Sequence, residues 1–194
     1  MNRKTIGLAM CGSFCTFARV LEAFSALDRE AYDLVPIQSQ AAYETDTRFG
    51  AAADLRTRLE ALCGHPIVHT IEEAEPIGPK RLLDALVIAP CTGNTLAKLA
   101  AGIADGPVTL AAKAHLRNER PIVLAVSTND ALAGNAASLG ALLNRRGYYF
   151  VPFGQDSAIK KPRSLVADFS QLPAALAAAL EGRQLQPMLC GAKT

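Results

Sequence analysis

The chain has no excess of either charge: 20 Lys and Arg stand against 18 Asp and Glu, a formal net charge of +2 over 194 residues. With no run of one sign, there is no electrostatic footprint for nonspecific binding to nucleic acid or to a membrane surface. Small molecules or proteins are therefore the expected partners. Long apolar runs are missing as well: no stretch approaches the roughly 20 apolar residues of a membrane span. The apolar segment Ile6 to Met10 behind the basic Met1-Asn2-Arg3-Lys4 is too short for a secretion signal. A cytoplasmic location is the expectation. Cysteines at 11, 15, 63, 91 and 190 include no Cys-x-x-Cys pair and are odd in number, so neither a zinc knuckle nor a disulfide framework is implied. Free thiols, mostly buried, are expected, and no metal site. Gly-x-Gly-x-x-Gly and P-loop patterns are also absent, which argues against the usual dinucleotide and nucleoside-triphosphate loops.

What is present is the composition of an ordinary folded domain, half hydrophobic and one-fifth charged. Alanine makes up 35 of the 194 residues, which favours helices that let other elements approach closely. At roughly 150 residues per domain the length suits one domain. The reading places it over residues 1–181, with 182–194 as an extended arm.

Apolar runs of strand length alternate with stretches of helical period. Strands are expected at Thr5 to Met10, Asp33 to Ile37, weakly at Ile67 to Val68, then at Ala85 to Ala89, Ile122 to Val126 and Tyr148 to Val151. The uninterrupted Ala85-Leu86-Val87-Ile88-Ala89 reads as a central strand covered on both faces. Helices are expected over Phe14 to Leu27, Ala51 to Cys63 (stopped by Gly64), 95–102, 108–116, Ala136 to Arg146 and Leu172 to Leu180. This order predicts an α/β fold, a doubly wound open parallel sheet with helices on both faces.

In such a sheet, ligands bind beyond the carboxyl ends of the strands. Four loops there are rich in small polar groups: Cys11-Gly12-Ser13-Phe14, Gln38-Ser39-Gln40, Pro90-Cys91-Thr92-Gly93-Asn94-Thr95 and Ser127-Thr128-Asn129-Asp130. The first and third stand at helix starts, where free amides and the helix dipole favour an anion such as a phosphate. Each loop taken alone reads equally as a helix cap. Their convergence on one edge points to a phosphate-bearing planar ligand, which the spacing does not name.

The stretch from Ala89 through Pro90, Cys91, Thr92, Gly93, Asn94 and Thr95 to Asp105 resembles the signature loop and helix of the FMN-binding flavoproteins. That family includes phosphopantothenoylcysteine decarboxylase, lantibiotic cysteine decarboxylases and flavin prenyltransferases. The resemblance spans residues 4 to about 153 and implies a three-layer flavoprotein fold, bound FMN and a homo-oligomer. Residues implied for the cofactor are Gly12, Ser13, Phe14, Ser39, Pro90, Thr92, Gly93, Asn94, Thr95, Ser127 and Thr128. The decarboxylases carry a His a few residues ahead of the central strand, whereas Glu75 to Lys80 holds none. Thr128 stands where they have Met.

A narrower set, Thr45-Asp46-Thr47-Arg48-Phe49-Gly50, Glu73 to Lys80, Phe150 to Asp156, Ser164 to Ala167 and Glu181 to Pro187, is similar to the dipicolinate synthase B-subunit family. That similarity implies oxidation of dihydrodipicolinate, or its hydrated precursor, to dipicolinate during endospore formation. The partner it implies is the A subunit of dipicolinate synthase, which carries NAD(P). Such a substrate calls for cationic clamps, since guanidinium pairs bidentately with carboxylate. Arg48 and Asn129 are the candidates for catalysis. Lys160, Lys161 and Arg163 are further candidate cations, and Asp46 and Asp156 candidate proton acceptors. The alternatives are a non-catalytic partner that binds flavin or another ligand, and a flavin-dependent decarboxylase of a cysteine-derived substrate. His65 and His69 read as structural.

Overall fold

A computed structural model of the protein describes residues 3–191, so residues 192–194 of the expected arm lie outside the described residues. Three strands form the middle of the sheet: β1 (Lys4–Met10), β3 (Ala85–Cys91) and β4 (Ile122–Thr128). All seven residues of β3 are buried. Successive strand residues face opposite sides, so burial of every one means that both faces are covered. The parallel order is β2 (Tyr32–Gln38), β1, β3, β4, with β1 and β2 in unbroken register from Lys4 opposite Tyr32 to Met10 opposite Gln38.

Helices supply the covering layers: α1 (Phe17–Ser25), α2 (Gln40–Glu44), α3 (Ala52–Cys63), α4 (Ile71–Ala74), α5 (Gly93–Ala101), α6 (Pro107–Arg117), α7 (Ala136–Leu143) and α8 (Leu172–Leu180). Helices α1 and α8 pack on each other and on β3, while α6 packs on β2, β3 and β4 with α5 beside it. Buried alanines at 111 and 112 in α6, and at 175, 178 and 179 in α8, explain how the helices sit close to the sheet. Gly64 and Gly102 end α3 and α5 with φ of 76° and 73°, a left-handed cap that costs glycine little.

The sheet is mostly parallel, as expected, with one addition. The outer edge of β4 is shared by two strands. Its first half pairs in parallel with β5 (Tyr148–Phe150), and Ser127 and Thr128 at its end pair antiparallel with β7 (Lys161–Ala167), which in turn carries β6 (Phe153–Ser157). Residues 153–167, to which the sequence pattern assigned no element, are thus an antiparallel hairpin at the binding edge. Two helix boundaries and one strand also differ from the expectation. The helix expected from Phe14 begins at Phe17 after a 3-10 turn, Phe14–Thr16, and the one expected to reach Arg146 ends at Leu143. The weak strand at 67–68 is a single bridge, Val68 to Ile37.

Candidate functional site

The ends of β1, β3, β4 and β7 frame a cleft of about 730 Å³. Ser13, behind β1, places its Oγ 2.8 Å from Ser127 Oγ at the end of β4, which joins two of the polar loops directly. Between them, Thr92 caps α5: its Oγ1 accepts the Thr95 amide at 3.2 Å and lies 3.0 Å from Thr95 Oγ1. On the far side, Thr128 Oγ1 and Asn135 Nδ2 donate to the two oxygens of Asp130, each at 2.6 Å. Gly93 lies under that network. A Cβ there would fall 2.6 Å from Thr128 Oγ1 and from Asn135 Nδ2, so the glycine is required by the close approach of two loops.

A second cleft, of about 740 Å³, lies on the β2 side of the same edge. Ser39 caps α2 there by accepting the Ala42 amide at 3.3 Å. The Tyr43 and His69 rings stack at 3.9 Å, and Lys98 is held by Asp105. The two clefts share Gly12, Thr92 and Asn94.

The residues singled out in the sequence fall into three groups. Gly12, Ser13, Phe14, Arg48, Thr92, Gly93, Asn94, Ser127, Thr128 and Asn129 line the first cleft. Ser39 and Thr95 line the second. Pro90 lines neither: it is buried in β3, and its carbonyl accepts the Cys11 amide at 3.3 Å. Among the candidate cations, Lys161 lines the first cleft but is paired with Asp156, whereas Lys160 and Arg163 stand outside it on exposed positions. Asp46 accepts the Ala52 amide at 2.8 Å at the start of α3, a helix-capping role. His65 bonds to Asp33 at 3.1 Å.

Sequence reasoning missed Arg19 and Asn135, and it gave no site role to Asp130 or to Ser164, Leu165 and Val166 of β7, although all of them line the first cleft. The apolar Leu165-Val166-Ala167 was the available signal for β7. A further hollow of about 840 Å³, away from the strand ends and lined by Leu99, Ile103, Leu110 and Tyr148, had no sequence signature. The buried thiols Cys11 and Cys91 are poor nucleophiles. Burial pushes Cys11 up to about 11, against hydrogen bonds from Thr95 and Ser39 that pull the other way, and burial raises Cys91 as well. Among the described residues no group of three or more His, Cys, Asp or Glu could hold a metal ion, and no helix is long and apolar enough to cross a membrane.

An open sheet whose hydroxyl-rich loops and helix starts meet at one edge defines a small-ligand-binding α/β protein, and residues 1–146 match the flavoprotein family, to which the chain belongs. Within that family it is similar to the B subunit of dipicolinate synthase from Bacillus subtilis (strain 168), with 44% identity over 189 residues, 97% of this chain and 94% of that one. The crystal structure of the dipicolinate synthase B subunit from Bacillus halodurans matches with a TM-score of 0.89 and 40% identity, covering 100% of both chains. The FMN-dependent cysteine decarboxylase SpaF, 24% identical with a TM-score of 0.67 over 92% of this chain and 95% of its own, shares the fold.

Proposed function

We propose that the chain works as the flavin-site component of an oxidoreductase that converts dihydrodipicolinate, or its hydrated precursor, to dipicolinate, together with a nicotinamide-binding partner. The observation that carries this reading is likeness to named B subunits of dipicolinate synthase over essentially the whole length in both sequence and fold.

The donor set suits FMN. A phosphate calls for hydroxyls, free helix-start amides and a cation, and the strand edge offers Ser39, Thr92, the start of α5 and Lys98 in adjoining positions. Gly12, Ser13, Asn94, Ser127 and Thr128 would hold the rest of the group across the shared border of the clefts. Bound there, FMN supplies a two-electron acceptor. The chain's own residues bind, orient and exclude water: Arg48 is placed to hold a substrate carboxylate, and Asn129, at an exposed position on the cleft rim, to hydrogen-bond the ring. In the reaction the dihydropyridine ring loses a hydride and a proton as it becomes aromatic. The visible spectrum of the purified protein, repeated on the supernatant after heat denaturation, tests the cofactor. A stoichiometric FMN band is expected. Dipicolinate formation by the two proteins together, compared with the partner alone, tests the reaction; full activity of the partner alone overturns the reading.

One observation favours a second reading, a binding component without its own chemistry. Both carboxylates of the first cleft are engaged, Asp130 by Thr128 and Asn135 and Asp156 by Lys161, which leaves neither placed as a free proton acceptor. Loss of turnover in Asn129→Ala with assembly intact would favour the first reading. A homo-oligomer is part of the proposal, and light scattering on the purified chain tests it.

A further inference from the structure

The first cleft carries more positive charge than the polar loops alone suggested. Arg19 projects from α1, an element that no sequence reading connected with the site, and lines the same cleft as Arg48 of the 45–50 loop. Each guanidinium is seated on an aromatic ring: Arg19 lies 5.0 Å from the centroid of Phe169, and Arg48 lies 4.9 Å from that of Phe49. A ring face attracts the cation through its quadrupole but accepts none of its N–H groups in the guanidinium plane. The donor forks thus stay available while the side chains are steadied. Neither arginine is ion-paired with an acid of the cleft: Asp156 is paired with Lys161, and the Asp130 carboxylate is turned to the neutral donors of Thr128 and Asn135.

We infer that Arg19 is a second carboxylate clamp, acting with Arg48 so that the cleft selects small planar dicarboxylates over monocarboxylates. The inference rests on the proposed substrate class and adds to it a residue and a basis for selectivity. One guanidinium fork matches one carboxylate in two parallel hydrogen bonds. Two forks held on separate elements, a helix and a loop, offer one site for each carboxylate of an acid that carries two. The Lys161 and Asp156 pair at the cleft wall contributes no net charge, and the two arginines outweigh the single carboxylate of Asp130, so the cleft is positive.

The test is the affinity of the purified full-length assembly, partner included, for pyridine-2,6-dicarboxylate and for pyridine-2-carboxylate. It is measured by calorimetry on the wild type, Arg19→Gln, Arg19→Lys and Arg48→Gln. The wild type is expected to prefer the dicarboxylate. Arg19→Gln and Arg48→Gln should each weaken the dicarboxylate about 10- to 100-fold, the range of a lost charge-assisted hydrogen bond, and erase the preference. Arg19→Lys, with charge but no fork, should recover part of it. Unchanged dicarboxylate affinity and selectivity in Arg19→Gln, with flavin content and circular dichroism as in the wild type, overturns the inference. So does a wild type that binds neither acid. A turnover assay separates the two proposals: two-arginine selectivity without dipicolinate formation leaves the clamp standing and removes the reaction, while turnover that is insensitive to Arg19→Gln does the reverse.

Discussion

Ser13 Oγ and Ser127 Oγ are 2.8 Å apart although 114 residues separate them in sequence. Only one hydrogen lies between two such oxygens, so one hydroxyl of the pair keeps a hydrogen for a third group. Either hydroxyl can donate across the pair; with Ser127 donating, the more open Ser13 keeps its hydrogen for a group in the cleft. Ser13→Ala is expected to weaken FMN binding about tenfold while changing folding stability by only ~1 kcal/mol, the net worth of an ordinary hydrogen bond. Flavin-fluorescence titration and urea unfolding measure the two. Unchanged flavin affinity would remove the serine pair from the cofactor site.

Gly93→Ala tests the contact between the loops after β3 and β4. The new methyl group would meet Thr128 Oγ1 and Asn135 Nδ2 at 2.6 Å and Asp130 Oδ1 at 2.8 Å. Overpacking of this kind costs about 1–3 kcal/mol. The midpoint of thermal unfolding should fall by several degrees, at roughly 2–4 °C per kcal/mol for a chain of this size. A variant as stable as the wild type would show that the network shifts freely.

His115 gives a pH signature. It is 1% exposed, and its ring lies with Nε2 3.0 Å from the Pro121 carbonyl. Burial holds its pKa down at about 4, only partly opposed by that bond. The unfolded chain, with its histidine near 6.5, binds the proton more readily, so stability is full above about pH 6.5 and falls as pH drops toward 4. The shift amounts to about 3 kcal/mol, an order-of-magnitude figure. Urea unfolding at pH 7, 5.5 and 4.5 should show this loss in the wild type and a shallower one in His115→Gln. Equal slopes would assign the acid sensitivity to other groups.

The thiols should divide by burial. Cys15 is exposed and Cys190 half-buried, while Cys11, Cys63 and Cys91 are buried. Desolvation raises Cys11 to about 11 and Cys63 to about 12. At pH 8 a thiol with a pKa near 11 is ionised in roughly one molecule per thousand, and burial also denies it the reagent. A disulfide reagent should therefore titrate at most two thiols rapidly in the native protein and all five after unfolding. Rapid native reaction of Cys11 would mean that the strand-end loops open.

The sheet centre was legible because β3 and β4 are uninterrupted apolar runs, which a buried parallel strand requires. Gly64 marked the end of α3 through its left-handed cap. The β6 and β7 hairpin was not legible. Of β6 only Phe153 is fully buried, β7 opens with the exposed Lys161, Pro162 and Arg163, and a proline inside a run argues against a strand. The hairpin is held by pairing with the end of β4, which no local pattern encodes. The polar loops were recognisable from their strand-end positions. Their division into two clefts was not, because it depends on where Gly12, Thr92 and Asn94 stand in space. Arg19 escaped notice for a related reason: the apolar spacing of its helix draws attention to the face that enters the core.

The described segment that follows α8 bears on the protein's behaviour in solution. Strand β6 is the last in the sheet, and residues 188–190 run beside it: the Phe153 amide donates to the Met188 carbonyl at 3.0 Å, and the Cys190 amide to the Phe153 carbonyl at 2.9 Å. Further back, the Gln184 side chain bonds both the amide and the carbonyl of Phe150 at 2.8 Å. An uncovered sheet margin is a template on which another chain can add a strand. This segment therefore shields the Phe153 end of that margin, and a variant lacking residues 184–191 is expected to self-associate more than the intact protein, as light scattering would show.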